Sequence, residues 1–141
     1  MIALVTTQPV DEPVDVTYIR NYLHWIDTDQ STEEILKDYL KAARELFEKV
    51  LNVSLVEKTY TVSFFPDEII GGYFELPFFP QKTVNSVHKV FDGEETEVTD
   101  YTVSDYSGQT RLKLDPGIPG FYKVSFDAGY TEIPSLLKMA L

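Results

Sequence analysis

Leu51-Asn52-Val53-Ser54-Leu55-Val56-Glu57-Lys58-Thr59-Tyr60-Thr61-Val62-Ser63-Phe64 is where the hydrophobic period of this chain changes. Before Asn52 the apolar residues recur at helical spacing. Beyond Leu55 they alternate, with Val56, Lys58, Tyr60, Val62 and Phe64 on one side and Glu57, Thr59, Thr61 and Ser63 on the other. A period of two is that of a strand with one buried face. A helix running into such a strand places the chain in the α+β class.

Upstream, Ser31 and Glu34 form a capping-box pattern, in which each side chain serves a backbone N–H of the other's turn. Ile35, Leu36, Tyr39, Leu40, Ala43, Leu46, Phe47, Val50 and Leu51 then follow the 3.6-residue period. Lys37, Asp38, Lys41, Arg44, Glu45, Glu48 and Lys49 fall mostly outside that stripe. Asn52 tolerates a left-handed cap, so the helix is expected to end there. An earlier helix is expected from Asp15, with Val16, Ile19, Leu23 and Ile26 on one face, broken at Asp27-Thr28-Asp29-Gln30. Residues 1–14, with Pro9 and Pro13, read as an extended lead-in.

Downstream, Tyr73 to Leu76 reads as a short strand and Thr83 to Phe91 as a longer one. Asp92-Gly93 is a hairpin signal, and Glu94 to Val98 returns from it. Tyr101 to Val103, Thr110 to Leu114 and Tyr122 to Ala128 complete the strands. After Ile133-Pro134, Ser135 can cap a last helix through Leu136, Leu137 and Met139. So short a helix is marginal alone and needs something to pack on. The expected fold is one α+β domain over 1–141. It has an N-terminal helix pair at about 15–52, an antiparallel β insert at about 55–128, and a C-terminal helix from about 135 returning to the helical bundle.

Composition narrows function. Twenty-three acidic against twelve basic residues give a formal net charge of −11. That opposes a duplex-wrapping surface, which needs clustered Lys and Arg to displace counterions. Without cysteine there is neither a disulfide framework nor a Cys-ligated metal site. No apolar run approaches the ~20 residues of a membrane span, and Met1 to Val5 is too short for a signal peptide. His24 and His88 lack ligand spacing, and no nucleophile elbow, phosphate loop or dinucleotide fingerprint occurs. Glu94, Glu95, Glu97 and Asp100 cluster beside the hairpin turn, without the spacing of a calcium loop. Phe64, Phe65, Tyr73, Phe74, Phe78 and Phe79 lack the interleaved basic residues of a stacking platform. No catalytic residue, cofactor or metal ligand is expected.

The order of segments carries a resemblance. Tyr18-Ile19-Arg20-Asn21-Tyr22-Leu23 precedes the Asp27-Thr28-Asp29 break, and the next helix holds Leu40-Lys41-Ala42-Ala43. Phe74-Glu75-Leu76-Pro77, Pro80 and Val84-Asn85-Ser86-Val87 follow. The chain closes on Val124-Ser125-Phe126-Asp127-Ala128-Gly129-Tyr130 and Ile133-Pro134-Ser135-Leu136-Leu137-Lys138. From Val16 onward this resembles the head–tail connector (adaptor, or head-completion) proteins of tailed bacteriophages. The resemblance implies a virion protein assembled in the host cytoplasm into a ring of identical subunits, typically twelve. Such a ring docks beneath the portal protein, meets the next neck or tail protein, and lets DNA through its channel without sequence-specific binding or contact with a membrane. Family members continue through a longer C-terminal helical segment implied to engage the portal, whereas this sequence reaches Leu141.

Ring subunits meet through two different patches. The expected contact residues are Asp67, Gly71 and Gly72 in the loop 66–72, Asp105, Tyr106 and Ser107 in the loop 105–109, and the apolar Leu136, Leu137 and Met139. For those last three, packing within the domain is an equal alternative. Other readings are a head-closure or tail-terminator neck protein, a β-rich module binding carbohydrate or peptide, and a hydrolase using paired acids, for which no positive feature exists.

Overall fold

A computed structural model of the chain describes residues 1–7, Thr17, 30–106 and 108–132. In chain order the elements are β1 (Ile2–Thr7), α1 (Gln30–Leu51), β2 (Lys58–Phe64), β3 (Tyr73–Glu75), β4 (Gln81–Phe91), β5 (Glu94–Glu97), β6 (Thr102–Tyr106), β7 (Gln109–Lys113) and β8 (Phe121–Ala128). They form two antiparallel sheets, one ordered β1-β2-β8-β4-β5 and one ordered β3-β7-β6.

The alternation read from Lys58 onward decides the core. Lys58, Tyr60, Val62 and Phe64 are buried, with half-buried Thr59, Thr61 and Ser63 between them. β8 repeats the pattern with Tyr122, Val124, Phe126 and Ala128 inward. The two strands pair inward residue against inward residue: Tyr60 faces Phe126, Val62 faces Val124, and Phe64 faces Tyr122. Such aligned pairs stabilise a sheet beyond the burial of each side chain. Phe74, Leu112 and Leu114 close this face from the smaller sheet's side, and Phe64 and Phe74 stack with ring centroids 3.6 Å apart.

β2 is shared lengthwise between two covers. At its Phe64 end lies the small sheet. At its Lys58 end lies α1, held by a hydrogen-bonded ion pair from Lys58 Nζ to the Glu48 carboxylate. α1 ends where Asn52 adopts φ 54°, the left-handed cap expected of it. Asp92 and Gly93 take φ 53° and 79°, the geometry of a tight primed turn between β4 and β5. Gly129, at φ 122°, lies so close to Val56 that an added Cβ would stand 2.2 Å from its carbonyl oxygen.

Three expectations are corrected. The protein is not a helix pair with a β insert and a returning helix. Among the described residues 49% lie in strands and 21% in one helix, and the strands carry the core. Among the described residues the main buried hydrophobic cluster draws on β2, β3, β4, β7, β8 and adjoining loops and on no residue of α1, so the β layers form the body. The expected helix from 135 lies outside the described residues, as does that at 15–26 except for Thr17, which is helical. Second, the extended lead-in expected over 1–14 is, at Ile2–Thr7, a sheet strand: β1 pairs antiparallel along β2, Ile2 opposite Ser63 and Leu4 opposite Thr61. Third, α1 does not bury all its apolar residues. Leu36 is buried, but Ile35, Tyr39, Leu46, Val50 and Leu51 are exposed while Arg44 and Glu48 are buried.

Candidate assembly surfaces

The loop 66–72 is shaped by proline and glycine. Pro66–Glu68 forms one turn of 3-10 helix, and Glu68 Oε2 accepts the Phe65 N–H at 2.8 Å. The other oxygen of Glu68 accepts from the Met1 ammonium at 2.8 Å, tying the loop to the start of β1. That ammonium holds the Glu68 carboxyl below the usual carboxylate range. Gly71 and Gly72 take φ 63° and 84°, where residues with a Cβ are strained. Asp67 and Gly71 are exposed and Gly72 half-buried, and beside them Ile70 is 82% exposed.

The second expected patch lies elsewhere. Asp105 and Tyr106 are exposed on β6, opposite Thr110 and Gln109 of β7. Arg111 sets its guanidinium 4.2 Å from the centre of the Tyr106 ring and 2.9 Å from the Glu75 carboxylate. A cation over one face of Tyr106 leaves that face unavailable for stacking a sugar or a base. Gly72 adjoins the Tyr73–Lys113–Thr102 end of the small sheet, and the Tyr106–Gln109 hairpin extends beyond its other end. The two loops are therefore separate surfaces and make no joint site. Ser107, Leu136, Leu137 and Met139 lie outside the described residues.

Sequence reasoning missed a third surface and one buried network. Ile35, Tyr39, Leu46 and Val50 fall on one line of α1, about 22 Å long at 1.5 Å per residue. They are 53%, 69%, 64% and 71% exposed. Four large apolar side chains in one exposed stripe are more than the scattered apolar exposure of an ordinary surface. The signal was present as periodicity, but periodicity does not say which part of a wide apolar face the body covers.

The network lies beneath α1. Glu48 accepts from Arg44 Nη1 at 3.0 Å, from the Leu55 N–H at 2.8 Å, and from Lys58 Nζ. Tyr60 donates its hydroxyl to Ser54 Oγ at 3.1 Å, and Ser54 donates to the Val56 carbonyl at 2.9 Å. Burial is the main cause that pushes the Tyr60 hydroxyl up to about 12. Buried charges this well bonded fix geometry, here the seating of the helix on the sheet. A mid-helix Arg and Glu four apart look like solvent residues in sequence, which is why the network was not foreseen. His88, half-buried, stands 3.7 Å from Glu95 on the neighbouring strand, and no group of three metal-binding side chains occurs among the described residues.

No protein-family model and no curated protein matches the chain.

Proposed function

We propose that this protein is a non-catalytic virion component of a tailed bacteriophage, a head–tail connector that forms a ring between the portal protein and the next neck or tail protein. The observation that carries the reading is the order of sequence segments from Tyr18 to Lys138. Those from Phe74 to Gly129 are also neighbours in space. Phe74 to Leu76 and Val84 to Val87 flank the Pro77–Pro80 turn, and β4 pairs with β8, Val87 opposite Val124 and Ser86 opposite Ser125. Gly129 of the closing segment donates its N–H to the Pro80 carbonyl at 2.9 Å. Phe74, Leu76, Val87, Val124, Phe126 and Ala128 of those segments belong to the buried core, which supports the reading more than scattered matches would.

Surface chemistry agrees with it. An apolar stripe on α1 and separate loops at opposite ends of the small sheet offer the unlike patches that head-to-tail contacts need. A net charge of −11 suits a channel wall past which DNA must slide without adhering.

The test is to mix the protein with the portal protein of the same phage and image the product by electron microscopy. A ring seated coaxially on the portal is expected. Absence of any complex, with the chain still monomeric at high concentration, would overturn the reading.

A further inference from the structure

Two sheets with open ends have four edge strands among the described residues, and those edges differ in kind. β5 is four residues long and reads Glu-Glu-Thr-Glu; β3 is three residues long and runs into Leu76-Pro77. Short length, charge and proline are the devices by which natural sheets keep an edge from pairing. The other two lack them. β1 is six residues, Ile-Ala-Leu-Val-Thr-Thr, without a charge, and β6 is five residues with one acid, Asp105. Both are exposed almost throughout, and both carry exposed apolar side chains: Ile2 at 67% and Leu4 at 62% on β1, and on β6 Val103 at 52% and Tyr106, with Arg111 over one face, at 61%.

Their positions are complementary too. β1 closes the large sheet on the side of β2, over which Phe64 stacks on Phe74 of β3. β6 closes the small sheet at the end away from β3. The chain enters it directly from β5, with the Val98 N–H bonded to Val87 of β4 at 2.8 Å. The two edges therefore belong to different sheets. Two unlike edges make a head-to-tail contact that repeats from copy to copy, whereas one edge pairing with itself closes a dimer.

We propose that the edge of β1 left unpaired among the described residues takes strand β6 of a second copy, so that each seam of the assembly is a backbone-paired sheet running from one subunit into the next. This rests on the connector reading for the closure of the repeat into a ring, and names the surface by which that ring forms. Main-chain hydrogen bonds supply the attraction, and the apolar side chains of both strands set the register.

The chain has no cysteine, so introduced thiols are unique probes. Leu4→Cys and Val103→Cys variants, mid-strand and exposed, are treated with a short bis-maleimide, singly and mixed, both concentrated alone and with the portal protein. The mixture is expected to give a cross-linked dimer that neither single variant gives, and the double variant a ladder of oligomers. Cross-linking of Leu4→Cys with itself, or a double variant with no ladder under either condition, would overturn the inference. Leu4→Lys with Val103→Lys is expected to weaken self-association at least tenfold with an unchanged melting temperature. Rings that form on the portal with this pair as readily as with the wild type overturn the seam while leaving the connector reading standing. A wild type that neither binds portal nor self-associates overturns both.

Discussion

Glu48 shows how much one side chain can hold in this protein. It accepts hydrogen bonds from the helix, from the strand and from the connecting backbone at once. Glu48→Ala leaves Arg44 and Lys58 buried without that carboxylate, and breaking a buried ion pair from one side costs about 3–5 kcal/mol. Urea unfolding should show that loss; a loss below about 1 kcal/mol would mean the network is dispensable. Tyr60, in the same network, makes stability depend on alkali. Its hydroxyl ionises near 10 in the unfolded chain and only at about 12 in the fold. Its contribution is therefore complete below pH ~10 and lost as pH rises toward 12, since the unfolded state there binds fewer protons. Tyr60→Phe should flatten that part of the stability–pH curve, read by chemical denaturation at stepped pH. Gly129 and Gly93 form a controlled pair. Alanine at 93 meets open space and only the left-handed φ, a penalty of about 1 kcal/mol. Alanine at 129 also strikes the Val56 carbonyl and should cost at least about twice as much, visible as a lower melting temperature.

The elements differ in how plainly the sequence announces them. β2 and β8 are legible because aromatic and β-branched residues strictly alternate, and the Asp92-Gly93 hairpin because only a few residues accept two successive positive φ values. β1 was not, since Ile2 to Val5 is apolar on both faces and has no period to read. α1 was legible as a helix ending at the Asn52 cap, but it begins at Gln30, before the Ser31 expected to cap it, and its buried side was not legible. Arg44 and Glu48 go inward because Lys58, an unusual inward residue of β2, waits there, a long-range pairing that no local pattern encodes. Of the candidate surfaces, proline and glycine mark the loop 66–72 and glycine the loop 105–109, and nothing local marks which strands become edges. The exposed stripe of α1 carries its own prediction. Leu46→Glu and Val50→Glu should leave the isolated protein's stability within about 0.5 kcal/mol of wild type, as exposed positions do. If the stripe is an assembly surface, the same pair weakens portal-bound rings at least tenfold in titration; equal ring formation would assign it no part in assembly.

Among the described residues the molecule is an acidic β body with the helix α1 seated on it. An excess of eleven negative charges should keep duplex DNA unbound even at ~50 mM salt, where electrostatic binding is strongest. Fluorescence anisotropy with a labelled duplex tests this, and micromolar binding at that salt would contradict a passive channel wall. Lys82 joins Glu57 and Thr131 across the outside of the sheet, and its ammonium holds the Glu57 carboxyl below its usual range. That favours the fold above the ordinary carboxylate pKa and fades as pH falls through the lowered value.

β8 lies between β2 and β4 and runs antiparallel to both. A load pulling along its axis from the Ala128 end would meet both hydrogen-bond ladders in shear, with every rung strained together, instead of peeling them one rung at a time. The strand would then behave as a tension member anchored on two sides.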